Sequence, residues 1–397
     1  MIGYRWVKKK RKDNNTMKYR PFGKLDFQVS ALGFGAMRLP VIDGDQTKIN
    51  EPEAIRMIRY AIDHGVNYVD TAWPYHGGHS EGVVGQALQD GYREKVKLAT
   101  KLPARLVKTA GDFDRFLNEQ LKRLQTDHID FYLLHGLNKR TWPNVRDLDV
   151  IAWAEKTMQD GRFLHLGFSF HDEYEVFKEI VDAYEKWMFC QIQYNYMDTE
   201  YQAGTKGLQY AAEKGLAMVI MEPIRGGQLA KQPPETVANI WRSAPNKRSP
   251  AEWALQWVWN HPEVSTVLSG MTTLEQVIEN IESAERSHPN FLTEEELSLV
   301  DQVREEYKKR SPIPCTNCQY CLPCPNNVNI PGILGLYNDA AKYGDVKRTQ
   351  FLYTIRIQEG EKASQCLECK DCEDLCPQGI TISEWIKKAD DLLDPKV

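Results

Sequence analysis

Eight of the nine cysteines in this chain lie in two short clusters near its carboxyl end. The first cluster reads CTNCQYCLPCP and the second reads CLECKDCEDLCP, and in each the last cysteine precedes a proline. Repeated CxxC steps of this kind are typical of metal ligands. Only Cys190 stands apart, so the spacing indicates a reducing compartment rather than the paired disulfides of a secreted fold. The predicted ligands are Cys315, Cys318, Cys321, Cys324, Cys366, Cys369, Cys372 and Cys376.

Four residues of acid–base type follow buried runs earlier in the chain. Asp70 ends a run, Tyr75 lies in the loop beyond it, and Lys101 and His135 lie at the ends of the next two runs. Taken singly, each type has an ordinary role, such as a helix cap, a rim charge or a satisfied polar group. Together they form an acid–base set, because an ammonium lowers the pKa of a neighbouring tyrosine and a carboxylate holds the ammonium in place. Such a tyrosine suits the protonation of a carbonyl oxygen as hydride arrives.

The elements that must position these residues are eight short apolar runs that alternate with longer amphipathic segments. The runs are VSALGFG, NYVDTA, VKLATKL, IDFYLLHG, RFLHLGFSF, FCQIQYN, LAMVIMEP and VSTVLSG. Strand and helix repeated eight times over about 250 residues predict an α/β fold, a (β/α)8 TIM barrel. A doubly wound sheet is the alternative, which the lack of a GxGxxG after the first strand disfavours. In such a barrel the four acid–base residues meet at the carboxyl ends of the strands.

The motifs DTAWPY, ATK, YLLHG, GFS, QIQYN and LSGMTTLEQVIENI, in this order, resemble those of the aldo/keto reductases. The resemblance runs from about residue 18 to residue 281, and it implies a barrel that interconverts carbonyls and alcohols with NADPH or NADH. It implies that Tyr75 is the general acid and that Lys101 activates it. Asp70 is then the partner of Lys101, and His135 orients the substrate carbonyl. The early segment YRPFGKLDFQVS resembles the hairpin that plugs the barrel bottom in this family, with its turn at GKLD.

The same resemblance implies how a nicotinamide cofactor is held. Ser169 and Gln191 hold the carboxamide of the nicotinamide. Phe170 stands where many members have asparagine, and Met221 stands where many stack tyrosine, so the pocket is altered here. Trp73 is the one obvious candidate for a wall of the substrate pocket, and the substrate itself is not readable.

At the other end of the cofactor, the segment SGMTTLEQVIEN predicts Thr272 as an N-cap with Glu275 as its capping-box partner, opening a helix toward the adenosine phosphates. Positions that commonly supply Lys and Arg to the 2′-phosphate are Gly270 and Gln276 here. Arg225 in PIRGGQL is a possible substitute cation, so the choice between NADPH and NADH stays open. Asn280 completes the predicted cofactor contacts.

The second cysteine cluster matches the bacterial ferredoxin run for a 4Fe-4S centre, and the first has one residue fewer before its last cysteine. In two-cluster ferredoxins the fourth cysteine ligates the other cluster, so Cys376 joins the first three cysteines and Cys324 joins the second three. Structural zinc on four thiolates is the alternative. The stretch NIPGILGLYNDAAKYGD between the clusters looks helical, which predicts a small, mainly helical ferredoxin-like domain.

Composition limits the class of protein. A formal net charge of −5 argues against a general affinity for nucleic acid, and no apolar run is long enough to cross a bilayer. The basic patch KKKRK lies in a leader without the apolar stretch of a secretory signal. We expect a cytoplasmic protein with a disordered basic leader (1–16), a barrel (17–290), a connecting helix and linker (291–312) and an iron–sulfur domain (313–397).

We predict an oxidoreductase that interconverts a small carbonyl and an alcohol, with two 4Fe-4S clusters for one-electron transfer. The alternative is an electron-transfer or redox-sensing protein whose barrel binds a ligand, a flavin or a partner without carbonyl reduction. Nicotinamide gives up two electrons together, so the clusters are expected to serve a redox partner such as a ferredoxin, or a bound flavin. A further alternative is that the clusters only staple a tail too small to bury its own core.

Overall fold

The structure is a computed structural model that describes residues 16–315, 317, 319–376 and 378–395. The basic patch of the leader and Cys318 therefore lie outside the described residues. The chain forms two compact units. The first contains the chain up to Lys231 together with Arg248–Leu297, and the second contains Gln232–Lys247 and the chain from Ser298 onward. The segment 232–247, which the sequence placed in the barrel, thus groups with the second unit, and the domain boundaries stay predictions.

Eight parallel strands of the first unit close into a barrel, which confirms the predicted fold. Two further strands form a hairpin ahead of them. The run VSALGFG, predicted as one strand, is divided at Ala31 between the hairpin and the barrel. The strands are β1 (Tyr19–Phe22), β2 (Leu25–Ser30), β3 (Leu32–Gly35), β4 (Tyr68–Asp70), β5 (Lys97–Leu102), β6 (Ile129–Leu137), β7 (Phe163–Phe170), β8 (Phe189–Gln193), β9 (Ala217–Met221) and β10 (Val264–Gly270), and the barrel order runs from β3 to β10 and back to β3.

The hairpin of β1 and β2 covers the amino-terminal end of the barrel. Its strands pair antiparallel across a turn at Gly23 and Lys24. Phe22 and Val29 are fully buried, and they pack with side chains from the first residues of several barrel strands. A Cβ atom on Gly23 would lie 2.7 Å from the backbone nitrogen of Ala217, so the turn approaches β9 as closely as glycine allows. The predicted plug is therefore present.

Helices follow the barrel strands, as the amphipathic segments predicted. Proline in the first turn starts α1 and α9, and the Ser249 side chain also caps α9. The helices up to the end of the barrel segment are α1 (Glu51–Asp63), α2 (Ser80–Ala87), α3 (Gly111–Leu124), α4 (Thr141–Asp147), α5 (Val150–Gln159), α6 (Tyr174–Asp182), α7 (Gly204–Glu213), α8 (Glu235–Ser243), α9 (Pro250–Trp259) and α10 (Leu274–Glu285).

The described part of the second unit is helical. Its apolar core includes Ile333, Tyr353 and Ile386, and several of the clustered cysteines pack against this core. The helix predicted between the two cysteine clusters is present and begins at an Asn329 side-chain cap. No helix within the described ranges combines the length and the apolar character needed to cross a bilayer. The remaining helices are α11 (Glu294–Lys309), α12 (Ile330–Tyr343), α13 (Val346–Arg356), α14 (Asp371–Asp374) and α15 (Ile382–Leu393).

Candidate active site and cysteine cavities

Asp70, Lys101 and Tyr75 come together at the carboxyl ends of β4 and β5. Lys101 Nζ donates to Asp70 Oδ1 at 2.6 Å and to the Thr71 carbonyl oxygen at 2.8 Å. Its third contact is the Tyr75 hydroxyl oxygen at 3.3 Å. The side chains of Asp70 and Lys101 are only 3% and 1% exposed, so the ion pair is shielded from water. Three donors of one ammonium are therefore directed at three fixed oxygen atoms.

Burial and charge set the protonation states of this group. Burial opposes the charge on Lys101, but the neighbouring Asp70 and Tyr75 outweigh it and raise the pKa of the ammonium above its ordinary value. Burial also raises the pKa of Tyr75, and Lys101 acts against this rise without cancelling it. The sequence predicted that Lys101 lowers the pKa of Tyr75. This effect is present, but burial outweighs it, so the prediction of a lowered pKa is wrong for the net shift. Tyr75 is therefore a phenol at neutral pH and carries a proton that it can give away.

His135 lies beside Tyr75, within β6. The two rings meet edge to face, with centroids 6.0 Å apart and planes at 84°. Burial, followed by the positive charge of Lys101, lowers the pKa of His135 well below its ordinary value. The imidazole is therefore neutral at physiological pH, and it can donate a hydrogen bond without giving up its proton. Tyr75 therefore has a proton that it can transfer, and the neutral His135 can donate a hydrogen bond.

Ser169 and Gln191 are paired across β7 and β8, and both are buried. The Ser169 hydroxyl oxygen accepts a hydrogen bond from the Gly136 backbone N–H at 2.8 Å, which leaves its own O–H able to donate. The Gln191 Oε1 atom is buried without a hydrogen-bond partner among the described residues. A carboxamide needs one donor and one acceptor, and these two side chains offer both. The pair therefore fits a nicotinamide carboxamide on the chemistry of its own atoms.

Phe170 and Met221 are the two departures noted in the sequence. Phe170 is fully buried and packs edge to face on Phe177 of α6, with ring centroids 5.1 Å apart. Phe170 therefore helps to pack β7 against α6. Met221 ends β9, and it offers a thioether rather than an aromatic face at that rim.

The start of α10, which the sequence assigned to the cofactor phosphates, is capped by a different residue from the one predicted. The side-chain cap of α10 is Thr273, not Thr272, and its hydroxyl accepts from the Gln276 backbone N–H at 3.4 Å. The side chain of Gln276 reaches back past the cap, because its Oε1 accepts from the Thr272 backbone N–H at 2.8 Å. The N-cap is therefore one residue later than predicted, since either of the two adjacent threonines can cap.

Two further predicted cofactor residues hold protein partners. Asn280 Nδ2 donates to the buried Ser269 hydroxyl oxygen at 3.0 Å, which ties α10 to the end of β10. Arg225 Nε donates to Asp198 at 3.0 Å, and the Asp198 side chain is only 9% exposed. The Asp198 carboxylate therefore neutralises much of the charge of Arg225, the cation that the sequence suggested for a cofactor phosphate.

Sequence reasoning missed a buried network behind Lys101. The Glu81 carboxylate is fully buried, and its Oε1 accepts from Thr100 at 2.7 Å and from Gln120 at 2.6 Å. Gln120 also donates to the Lys101 carbonyl oxygen at 3.0 Å, so the network fixes the backbone of β5 at the active residue. The sequence signal was an acidic residue ahead of the apolar GVV in α2, which resembles an ordinary first-turn glutamate.

The network continues to the predicted pocket wall. Arg123 Nη1 lies 3.4 Å from Glu81 Oε2, and its guanidinium lies 3.7 Å from the centre of the Trp73 ring. Phe116 packs edge to face on the same indole, with centroids 4.8 Å apart. Trp73 is therefore held against α3 by a cation and an aromatic ring.

The clustered cysteines line two cavities of the second unit. One cavity is lined by Cys324 together with Cys366, Cys369 and Cys372. The other is lined by Cys315 and Cys321 together with Cys376. In each cavity, then, a cysteine from the end of one cluster joins cysteines of the other. This crossing is the arrangement that the predicted ligand partition requires, and the partition itself stays a prediction.

The donors in these cavities suit iron–sulfur clusters. Ile330 and Ile382 line both cavities, so the walls between the thiols are apolar. Soft thiolates in an apolar shell are the environment that binds iron–sulfur clusters. Among the described residues, no three His, Cys, Asp or Glu side chains are grouped as ligands for a metal ion.

Comparison with known proteins agrees with both units. Residues 31–305 match the profile of the aldo/keto reductase family, and residues 314–381 match that of a 4Fe-4S dicluster domain. The uncharacterized oxidoreductase YrpG of Bacillus subtilis is 28% identical over 330 residues, which cover 72% of this chain and 96% of that protein. L-galactose dehydrogenase of Arabidopsis thaliana is 26% identical, over 73% of this chain and 95% of its own length.

Solved structures show the same fold. The holo form of an aldo-keto reductase from Bacillus halodurans superposes with a TM-score of 0.60 at 29% identity, covering 72% of this chain and 96% of that one. An aldo-keto reductase from Klebsiella pneumoniae in complex with NADPH gives a TM-score of 0.59 at 24% identity, covering 73% and 95%. With its barrel, its strand-end acid–base group and this match over most of the length, the chain belongs to the aldo/keto reductase family.

Proposed function

We propose that the first unit interconverts a small carbonyl compound and an alcohol with NADPH or NADH. The observation that carries this proposal is the contact of Lys101 Nζ with both Asp70 and the Tyr75 hydroxyl. When bound, the reduced nicotinamide supplies the hydride. Tyr75 gives its phenolic proton to the carbonyl oxygen, and Lys101 stabilises the phenolate that remains. His135, as a neutral donor, holds the carbonyl oxygen toward Tyr75.

Ser169 and Gln191 support the choice of cofactor. The free acceptor of Gln191 and the available O–H of Ser169 would hold the carboxamide of a nicotinamide, whose reduced form would supply the hydride. The burial of both side chains keeps water from competing for these bonds. The altered positions Phe170 and Met221 remove two contacts without removing this pair.

The test of the first unit is a binding titration with NADPH and NADH, followed by a screen of aldehydes, ketones and their alcohols. We expect binding of at least one cofactor and oxidation of bound NADPH or NADH by some carbonyl compounds. Matched measurements on Gln191→Leu separate cofactor binding from chemistry, because this substitution removes the orphaned acceptor and leaves Tyr75 in place. Failure of the wild type to bind either nucleotide would instead favour a barrel that binds a different ligand or partner.

For the second unit we propose two 4Fe-4S clusters, one in each cysteine cavity, that pass single electrons. The crossed sets of cysteines support two sites rather than one. Each cluster accepts one electron at a time. Because a hydride donor delivers two electrons together, we propose that the clusters exchange electrons with a bound flavin or with a redox partner protein such as a ferredoxin.

Anaerobic mixing of flavin-free protein with NADPH or NADH tests this separation. We expect the cluster absorbance to persist with nicotinamide alone and to bleach with dithionite, with a reduced ferredoxin or after added flavin. Bleaching by nicotinamide alone, as fast as substrate turnover, would overturn it. Anaerobic iron and sulfide analysis gives the cluster number, with about eight irons per chain expected from two cubanes. Zinc in their place would overturn the cluster assignment.

A further inference from the structure

Arg38 occupies the space beside Gly270 at the end of β10. A Cβ atom on Gly270 would lie 3.1 Å from each of Arg38 Cβ, Cγ and Cδ. The aliphatic part of the arginine therefore rests on the glycine, and a longer side chain at position 270 would have to displace it. The absence of a side chain at Gly270 thus has a structural reason, which is the room that Arg38 fills.

The fold brings this arginine to the mouth of the barrel. Arg38 is the last residue of a short 3-10 turn that directly follows β3. β3 pairs with β10, and Gly35 lies opposite Gly270 in this pairing. On its other side β3 pairs with β4, where Gly35 lies opposite Asp70. Arg38 therefore follows the carboxyl end of the strand that lies between the acid–base group and the start of α10.

The charge of Arg38 is available for a ligand. The residue is half-buried, and its guanidinium forms no hydrogen bond or ion pair with the part of the chain that the structure describes. Arg225, the cation considered from the sequence, differs because its Nε atom donates to the Asp198 carboxylate. A guanidinium that no carboxylate pairs with keeps its N–H donors available for a phosphate of a ligand.

We propose that Arg38 binds a phosphate group of the nicotinamide cofactor and so provides the cation that Gly270 cannot. The inference rests on the proposed cofactor, whose carboxamide we place at Ser169 and Gln191. In the barrel order β9 lies between β8 and β10, and β10 is the neighbour of β3. A dinucleotide whose carboxamide is held at β7 and β8 would bring a phosphate to Arg38 if it ran along the mouth past β9. The guanidinium matches a phosphate with two parallel hydrogen bonds, a geometry that lysine cannot copy.

The experiment compares cofactor dissociation constants for the wild type, Arg38→Ala, Arg38→Lys and a control. The control is Arg115→Ala, which removes an exposed arginine whose ion pair lies within α3. We expect Arg38→Ala to weaken binding by about tenfold to a hundredfold, the size of a lost charged hydrogen bond, Arg38→Lys to be intermediate and Arg115→Ala to match the wild type. A larger loss for NADPH than for NADH assigns the contact to the 2′-phosphate, and equal losses assign it to the pyrophosphate.

A double variant that moves the positive charge from position 38 to position 270 provides the second test. In Arg38→Ala the space beside Gly270 is vacated, so adding Gly270→Lys restores a cation from the neighbouring strand and should recover part of the lost affinity. Gly270→Lys alone should weaken binding, because the two side chains compete for one space. An Arg38→Ala affinity within twofold of the wild type, or no recovery in the folded double variant, would overturn the role of Arg38. If the wild type binds neither nucleotide, the proposed cofactor fails and this inference fails with it.

Discussion

The backbone N–H of Leu39 donates a hydrogen bond to the Nε2 atom of His76 at 3.0 Å. On the other side of the same ring, Nδ1 lies 2.8 Å from the Gln46 carbonyl oxygen. A backbone N–H can only donate, so Nε2 is an acceptor and the proton of the neutral ring is on Nδ1. His76 directly follows Tyr75, and its ring therefore ties the loop that carries Arg38 to the segment that carries the proposed acid.

His76 should make this loop sensitive to acid. Burial lowers the pKa of His76 below 6.5, so its stabilising effect is complete at neutral pH. This effect is lost as the pH falls below about 6.5 toward the pKa in the folded protein, because the imidazolium cannot accept from Leu39. Its neighbour His79 adds to the lowering. Thermal unfolding of the wild type and His76→Ala at pH 7.5 and 5.5 checks this, and an unchanged difference between the two proteins would contradict it.

The backbone at His76 allows a second comparison. Its φ of 53° is left-handed, a region that costs a residue with a side chain about 1 kcal/mol or more. Both His76→Ala and His76→Gly remove the two ring hydrogen bonds, but only glycine also removes the strain. We therefore expect His76→Gly to be the more stable variant by roughly 1 kcal/mol, as measured by denaturant unfolding.

Tyr75→Phe should abolish carbonyl reduction while cofactor binding remains. The substitution removes the transferable proton and leaves the ring, with an expected loss of about a hundredfold to ten-thousandfold in kcat. Tyr68→Phe is a matched control, because the Tyr68 hydroxyl is buried at the start of β4 without a partner among the described residues. If Tyr75→Phe retains most of the wild-type rate on a substrate that turns over, Tyr75 is not the acid.

Lys101→Met should affect alcohol oxidation in a pH-dependent way. Oxidation needs Tyr75 as a phenolate, and Lys101 is the group that opposes the burial that raises the tyrosine pKa. Without the ammonium, the pKa rises further and the oxidation rate should increase only at a higher pH than in the wild type. Lys97→Met is the control at the opposite end of β5, where Lys97 pairs with Asp130. Coinciding pH profiles for wild type and Lys101→Met would argue against this role.

The crossed cysteine sets can be tested in a background that holds one cluster. Replacing Cys366, Cys369 and Cys372 with alanine should leave about four irons, in the cavity that Cys376 shares with the first cysteine cluster. In this background Cys376→Ala should remove the remaining iron, whereas Cys324→Ala should leave it in place. The reverse result, measured by anaerobic iron and sulfide analysis, would mean that each sequence cluster binds its own cubane.

Much of the fold was predictable because it follows from periodic patterns of apolar residues. Much of the acid–base group was predictable because its residues lie at or near the ends of the predicted strands. Apolar runs specify buried parallel strands, and Asp70 and Lys101 then meet because neighbouring strands end at one rim. His76 and Arg38 were not predictable in this way. Their contacts depend on how two loops fold back, and His76 occupies a left-handed turn where sequence patterns give no reason to expect histidine. The Thr272 prediction was wrong by one residue because two adjacent threonines offer equivalent caps.

Ile330 and Ile382 line both cysteine cavities, so each side chain serves as a wall for two compartments. The two proposed clusters would therefore share apolar walls within a small unit. Filling one compartment fixes walls that the other needs, and insertion of the second cluster should become easier once the first is in place. We therefore expect the iron supply of the cell to govern how far the second unit matures, and we expect chains from an iron-poor cell to be cut more readily by proteases in this unit.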